Sequence, residues 1–316
     1  MNREFGGRRV RTFGAGGPVI WMVCDFDLAA QASALLPEGA ATVAAVEGVD
    51  WNRELTPWPA PPVARGQPEF GGGADTLLGE LAGRILPEVE AELRPSARWI
   101  AGYSLAGLFA VYAALSTRLF ARVASVSGSM WYPGFSDWVA AGAHSSKDGA
   151  AARGVRPEMP SATDAPAVST EDSSSVAQPA MSSTADVPAA LPEDSLAVVQ
   201  PAMSSTADVP VASPTDSLDV ALSARPLALD VPTAESGRGA MRAQFLPERA
   251  YFSVGDRERF GRNPAFRTVE DDARRIAAAL DACGVRTRFE TRPGGHFCDP
   301  AGRIARAVRW LLDAGE

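Results

Sequence analysis

The chain has 316 residues, a mass of 33.1 kDa, 46% apolar residues and 22% charged residues, which is ordinary for a globular protein. It holds no apolar run long enough to cross a bilayer, and its arginine-rich first residues have no apolar segment behind them, so neither a membrane span nor a secretory signal is expected. Three scattered cysteines exclude a disulfide framework, and the net charge of −8 argues against nucleic-acid binding. These features together predict a cytoplasmic protein.

The first predicted elements in chain order are two apolar runs, Pro18–Cys24 and Ala41–Val46, each followed by acidic residues. Short apolar runs of this kind are typical of strands buried on both faces of a parallel sheet. Residues 49–73 are dense in Pro, Gly and Trp, which predicts a long structured loop. From 74 to 93 the apolar residues recur at helical spacing, and Pro87 predicts a kink or a break in that helix.

A short strand at Arg98–Ala101, a helix from about Leu105 to Ser116 and a strand at Arg122–Val126 come next. Further along, the sequence predicts a strand at Arg249–Val254, a helix that begins after Asn263 and runs to about Cys283, a strand at Val285–Thr291, and a last helix at about 301–313. Strands that alternate with helices indicate an α/β protein with a mostly parallel, doubly wound sheet and helices on both faces.

The segment between the predicted strands at 122–126 and 249–254 differs in composition from the rest of the chain. The chain has no Phe, Trp or Tyr between Trp138 and Phe245, and residues 145–240 carry the whole net charge of −8. Within this segment an eleven-residue stretch, Gln178–Pro188, recurs unchanged at Gln200–Pro210. Such a segment cannot bury enough apolar surface to offset its ordering entropy. We therefore expect one α/β domain in two parts, 1–144 and 241–316, around a disordered insertion at 145–240.

Ser104 carries the sharpest chemical signal in the chain. It stands in the stretch Gly102–Gly107 (GYSLAG) between a predicted strand and a predicted helix, which is the layout of a nucleophile elbow. The small residues Gly102, Ala106 and Gly107 suit such a turn, because the helix start passes close to the strand. The usual pattern is G-x-S-x-G, and Ala106 departs from its last position. The alternative interpretation is a serine that caps a helix N-terminus.

The chain has only two histidines, His144 and His296. His296 follows a predicted strand and a Gly-Gly turn near the C-terminus, where an α/β-hydrolase places its general base, whereas His144 borders the 145–240 segment. An imidazole that titrates near neutral pH can take a proton from a serine and return it to a leaving group. We therefore predict that His296 is the base and that His144 has no catalytic role.

The third member of such a site is an acid that orients the imidazole, expected at the end of a strand between Ser104 and His296. Asp256 is predicted as this acid because it directly follows the strand at 249–254. Glu258 is the rival two residues further on, and Asp137 is a more distant alternative.

Two further predictions concern the substrate. The backbone N–H groups of Leu105 and Phe26 are predicted to form an oxyanion hole, with Asp25 and Asp27 as alternatives to Phe26. Aromatic residues in loops that follow strands are predicted to line a pocket for an acyl or aryl group; they are Trp51, Trp58, Trp131 and Tyr132.

Taken together, these stretches resemble the putative-esterase family of α/β-hydrolases, which includes enterochelin esterases and esterase-D-like enzymes. The resemblance covers the chain outside the 145–240 segment and rests on VDWNRELTPWPAP, FGGGAD, IAGYSLAGLFAVYAAL, VASVSGSMWYPGF, YFSVGDRERFGRNP and PGGHFCDPAGRIARAVRWLL. It implies an α/β-hydrolase fold and ester hydrolysis with Ser104 as nucleophile, His296 as base and Asp256 as acid.

The leading hypothesis is therefore a serine esterase that acts on a small-molecule ester, such as a siderophore ester or a small acyl ester, and needs no metal or organic cofactor. A thioesterase or acyltransferase would use the same three residues. A catalytically silent binding protein on the same fold is the alternative from another class.

Overall fold

The computed structural model describes residues 1–147, 245–261 and 263–313. Its strands are β1 (Asn2–Phe5), β2 (Arg8–Gly14), β3 (Val19–Val23), β4 (Thr42–Glu47), β5 (Pro59–Ala60), β6 (Phe70–Gly71), β7 (Arg98–Tyr103), β8 (Arg122–Val126), β9 (Arg249–Gly255) and β10 (Arg286–Arg292). Eight of them form one sheet in the order β1-β2-β4-β3-β7-β8-β9-β10, and β5 pairs with β6 separately.

The helices of the described residues are α1 (Phe26–Ala34), α2 (Trp51–Glu54), α3 (Ala74–Glu80), α4 (Leu86–Leu93), α5 (Leu105–Ser116), α6 (Phe135–Lys147), α7 (Val269–Asp281) and α8 (Pro300–Leu312). Helices α1 and α8 pack together on one face of the sheet, while α5 and α7 cover the other. Two separate apolar cores result, one on each face. The predicted α/β architecture with a mainly parallel sheet is confirmed.

The central strands are parallel from β4 through β10, so their carboxyl ends meet at one edge of the sheet. Strand β2 pairs antiparallel with both β1 and β4, which makes the N-terminal edge of the sheet antiparallel. The sequence analysis did not predict β1 and β2. Their outward positions carry arginines, while Phe5 and Val10 turn inward and are buried.

The long helix predicted from 74 to 93 is interrupted. A π-helical turn at Leu81–Ile85 separates α3 from α4, and Pro87 lies in the first turn of α4. Proline has no N–H to donate to the preceding turn, and its ring crowds the carbonyl four residues back. A widened turn ahead of Pro87 accommodates both effects, so the predicted break is present.

Residues 148–244 lie outside the described part of the chain, and the predicted insertion at 145–240 therefore stays a prediction. Helix α6 includes His144 and continues to Lys147. The described chain resumes at Phe245, whose N–H donates to the Leu115 carbonyl near the end of α5.

Candidate active site

Ser104 occupies the turn between β7 and α5 with φ 58° and ψ −126°. A positive φ is unfavourable for a residue with a Cβ and persists only where the surroundings enforce it. At Ser104 the close approach of α5 to β7 enforces the positive φ. A Cβ on Gly102 would lie 2.0 Å from the Ala106 carbonyl oxygen, and one on Gly107 would lie 2.9 Å from the Gly128 Cα.

The GYSLAG pattern has a direct steric explanation. The crowding falls on Gly102, where the carbonyl of Ala106 fills the space of a side chain. Ala106 itself is buried in the core, and its own Cβ is accommodated there. The departure from G-x-S-x-G at Ala106 is therefore compatible with the same turn.

His296 lies in the loop between β10 and α8 and is close to Ser104. Its Nε2 is 3.1 Å from the Ser104 Oγ, a hydrogen-bond distance across nearly 200 residues of sequence. The Tyr103 hydroxyl donates to the His296 carbonyl, and the two rings lie with centroids 5.0 Å apart. Burial raises the pKa of Tyr103, with the Glu258 charge acting in the same direction, so its hydroxyl keeps the proton that makes this bond. Tyr103, the last residue of β7, thus fixes the backbone of His296 from the position next to Ser104.

Glu258 holds the other side of the imidazole. Its Oε2 is 2.9 Å from His296 Nδ1, and its Oε1 accepts hydrogen bonds from the Ser127 hydroxyl at 2.6 Å and from the Gly255 N–H. Both terminal nitrogens of Arg303 also lie 3.4 Å from Oε1. The two oxygens of the carboxylate therefore differ in their contacts: Oε1 is held by other parts of the protein, and Oε2 faces the imidazole.

The Glu258 carboxylate is buried, with 4% of its side chain exposed. Burial alone would raise its pKa, but the hydrogen bond and charge of His296, together with the Ser127 hydroxyl and the Gly255 N–H, hold that pKa below the ordinary value. Donors aimed at a carboxylate stabilise its charged form. Glu258 is therefore an anion under ordinary conditions despite its burial.

Asp256 does not contact the imidazole, contrary to the prediction. Its side chain is exposed, and Oδ1 accepts the Gly294 N–H at 2.9 Å, which ties the loop after β9 to the loop after β10. The reason is a 3-10 turn at Glu258–Phe260 that brings the chain back over the end of the strand. A Cβ on Gly255 would lie 2.3 Å from the Gly294 carbonyl oxygen and 2.9 Å from Glu258 Oε1, so this close approach requires glycine.

Asp137, the distant alternative, pairs with Arg275 at 2.7 Å on the surface. The side chain of His144 lies outside the description. Sequence reasoning missed Ser127 and Arg303, the two side chains that anchor Glu258. Ser127 has φ 46°, which places it in another strained turn after a strand.

Of the two backbone donors predicted for the oxyanion, only Leu105 is available in the part of the chain that the structure describes. Its N–H lies at the start of α5, where the first N–H groups have no helical acceptor, and Leu105 lines the pocket at Ser104. The N–H of Phe26 donates instead to the Glu47 carboxylate at 2.6 Å, and its ring lies against Arg11. Asp25 and Asp27, the two alternatives, stay open.

A pocket opens beside Ser104, and Trp131 is the one predicted aromatic residue in its wall. Trp58 and Tyr132 pack against each other in an aromatic cluster with Phe135, and the Tyr132 hydroxyl donates to the Trp58 carbonyl. They anchor the loops rather than line the pocket. Trp51 lines a second, open cavity together with Pro68, and of the described residues this cavity shares only Phe70 with the wall of the pocket at Ser104.

The described residues contain no cluster of three or more His, Cys, Asp or Glu side chains arranged to hold a metal ion. Among them, too, no helix combines the length and the apolar character needed to cross a membrane.

Comparison with known proteins identifies relatives of this chain. The model of a family described as putative esterase matches residues 25–182, half of the chain. A Bacillus subtilis (strain 168) protein described as the uncharacterized protein YbbA is 33% identical over 84 residues, which make up 25% of this chain. The match spans only 34% of the length of YbbA.

Solved structures share the fold at low sequence identity. The siderophore hydrolase EstA from Aspergillus nidulans superimposes with a TM-score of 0.56 at 14% identity, over 98% of this chain and 91% of its own. An IroE-like serine hydrolase from Shewanella oneidensis gives a TM-score of 0.55 at 14% identity, over 96% and 75% of the two chains. At these identities the likeness concerns the fold.

Proposed function

The chain belongs to the putative esterase family, and from this premise we propose that it is a serine hydrolase that cleaves carboxylic esters through an acyl-enzyme on Ser104. The observation that carries the proposal is the unbroken series of hydrogen-bond distances from Ser104 Oγ to His296 Nε2 and from His296 Nδ1 to Glu258 Oε2. A nucleophile, a base and an orienting acid linked in this order are typical of a catalytic triad, which supports the proposal.

In the first half of the reaction His296 Nε2 takes the Ser104 hydroxyl proton while Oγ forms a bond to the ester carbonyl carbon. The negative charge that develops on the carbonyl oxygen meets the Leu105 N–H. When the intermediate collapses, the bond to the alcohol oxygen breaks, and the imidazolium gives its proton to that oxygen. The acyl group stays on Ser104.

In the second half a water molecule takes the place of the alcohol. His296 accepts a proton from the water, the resulting oxygen attacks the acyl carbon, and the acid leaves as the proton returns to Ser104. Glu258 holds the Nδ1–H throughout and stabilises the imidazolium. The strained turn at Ser104 acts as a nucleophile elbow, because it presents Oγ at the pocket with the Leu105 N–H beside it.

The substrate of this reaction belongs to one of two classes. One is a siderophore ester, in keeping with the substrate after which the hydrolase from A. nidulans is named. The other is an ester of a small acyl group. Thioester hydrolysis and acyl transfer would use the same residues, and no contact of the described residues favours them over ester hydrolysis.

A fluorophosphonate probe tests the proposal directly, because it modifies an activated serine. We expect the wild-type protein to be labelled on the peptide that contains Ser104 and to hydrolyse p-nitrophenyl esters. Ser104→Ala and His296→Ala should each lose about 10⁴-fold or more of the ester hydrolysis rate.

Ser129 provides the internal control, since it is a second serine in the same pocket that lacks a histidine partner in the described part of the chain. Ser129→Ala should keep the label. Labelling of Ser129 in the wild-type protein, or a Ser104→Ala variant with more than a tenth of the wild-type rate, would contradict the mechanism.

A further inference from the structure

We infer that the pocket beside Ser104 selects esters whose acyl group is compact, apolar and uncharged, an inference that rests on the proposed ester hydrolysis. The pocket wall is built by six apolar side chains from separated parts of the chain, namely Val63, Phe70, Leu105, Trp131, Phe266 and Val269. Apolar walls with a few convergent polar groups are typical of sites that take small apolar ligands.

The polar groups of the pocket are confined to its reactive end. They belong to Ser104, Ser129, Glu258 and His296, and both oxygens of Glu258 are already engaged by protein donors. Among the described residues, no Lys or Arg side chain lines the pocket. A carboxylate on the acyl group would lose its hydration there without gaining a cation, and it would face the negative charge of Glu258.

The wall has little freedom to widen. The Trp131 ring meets Phe266 edge-on with centroids 5.0 Å apart and lies tilted against Phe70 at 6.2 Å. In addition, the Asn263 side chain donates to the Val63 carbonyl at 2.9 Å and so ties the 49–73 loop to the chain after β9. The space enclosed by the wall is small, about 50 Å³ for the centres of water-sized molecules. This size limits the acyl group to a compact one.

The histidine indicates which part of the ester occupies the pocket. Since His296 must protonate the leaving oxygen, the alcohol lies on the histidine side of the bound ester. Two aromatic rings lie 5.0 Å from the His296 ring, the buried ring of Tyr103 and that of Phe297, which is 60% exposed and meets the imidazole edge-on. The alcohol therefore faces solvent, and the enclosed apolar space belongs to the acyl group. Discrimination should be strong for the acyl group and weak for the alcohol.

Matched esters of p-nitrophenol test both halves of this inference. We expect kcat/KM for the 4-ethylbenzoate to exceed that for the 4-carboxybenzoate by about 100-fold or more, because only the second buries a charge. On the alcohol side, benzoates of p-nitrophenol and of 3-carboxy-4-nitrophenol should differ by less than about tenfold.

A substitution in the wall supplies an independent readout. Val63 is only partly buried, so Val63→Lys can place its stem on the wall and its ammonium in the pocket. We expect this variant to reduce the preference for 4-ethylbenzoate over 4-carboxybenzoate by about tenfold or more. Leu246→Lys is the matched control, because Leu246 is exposed at the far edge of the sheet just before β9. It should leave the preference unchanged.

The outcomes separate the inference from the proposed function. Equal rates on the two acyl esters, or a preference that Val63→Lys and Leu246→Lys change alike, would overturn the inference while ester hydrolysis stands. A folded protein that hydrolyses none of the esters and takes no fluorophosphonate label would overturn the proposed function, and the inference with it.

Discussion

Replacement of Glu258 by Gln is the most informative single change, because it removes a charge and almost no volume. The amide oxygen can still accept the Nδ1–H of His296, but the amide NH2 group cannot accept from the Gly255 N–H and Arg303 as Oε1 does. The loss that bears on catalysis is that of the negative charge 2.9 Å from the imidazole. That charge matters when His296 has taken the Ser104 proton and the ring is positive.

The size of the effect follows from Coulomb's law. Two unit charges about 4 Å apart interact by about 4 kcal/mol at an effective dielectric constant of about 20. The side chains of Glu258 and His296 are 4% and 16% exposed, so little of this is screened by solvent. The Arg303 cation, 3.4 Å from the anchored oxygen of the same carboxylate, is present in both proteins and therefore does not reduce this difference. A net loss of about 3–4 kcal/mol corresponds to a 10²–10³-fold lower kcat/KM.

The Asp256→Asn variant is the matched control, with the same change of acid to amide two residues away. Among the described residues, the exposed Asp256 accepts the Gly294 N–H through Oδ1, and the asparagine oxygen can accept the same bond. We expect kcat/KM within about threefold of wild type. Steady-state hydrolysis of a p-nitrophenyl ester measures both variants. A larger loss in Asp256→Asn than in Glu258→Gln would refute the assignment of Glu258 as the orienting acid.

Three further predictions concern stability and organisation. Gly102→Ala should lower the free energy of unfolding by about 3 kcal/mol or more, because its Cβ meets the Ala106 carbonyl at 2.0 Å. Gly79→Ala, at an exposed position of helix α3 where nothing lies within 4 Å of the added Cβ, should raise it by up to about 1 kcal/mol, and denaturant titration compares the two variants. The pKa of Glu258 is held below its ordinary value of 4.5 in the folded protein. Its contribution to the free energy of unfolding should therefore be present above pH 4.5 and lost as the pH falls through the lower folded pKa. A Glu258→Gln variant that loses as much stability in acid as the wild type would exclude this. Deletion of residues 148–240 with a flexible linker in their place should retain cooperative melting and kcat/KM within about threefold, and loss of either would show that the segment contributes to the domain.

The parts of the fold that the sequence predicted well are those whose signal is local. Strand β8 and helix α5 have the bounds expected from the sequence, because each is a run of residues buried on every side with a clear start and end. Strands β1 and β2 were not predicted from the sequence because they pair at the antiparallel edge of the sheet, where arginines occupy the outer positions. Their inward Phe5 and Val10 are too widely separated to form an apolar run.

The residues of the candidate site likewise fall into those with a local sequence signal and those that depend on distant contacts. Ser104 and His296 could be predicted because the small residues around the serine and the scarcity of histidine are properties of the sequence itself. The choice between Asp256 and Glu258 depends on how the turn after β9 folds, and that is set by contacts with Gly294 in a distant loop. The one local signal was Gly255 at the strand end, which indicates a close backbone approach.

Arg303 in helix α8 is a second residue whose role depends on a contact with a distant loop. In the sequence it is one of several arginines in an amphipathic helix, where a charged residue is usually exposed. In the structure it is 4% exposed, and the acceptor it faces is the Glu258 carboxylate. A buried guanidinium requires such a partner, and the partner comes from another loop.

The topology also indicates from where Ser104 is reached. Because β8 and β9 are parallel, β9 begins at the edge of the sheet opposite Ser104. Phe245, where the described chain resumes before β9, donates its N–H to the Leu115 carbonyl near the far end of α5. Twelve helical residues separate that end from Ser104, about 18 Å along the axis. The start of β9 therefore lies remote from the pocket, whereas the 49–73 loop, held by Asn263, borders the pocket through Val63 and Phe70. An ester that reaches Ser104 through the pocket therefore passes the side chains of this loop.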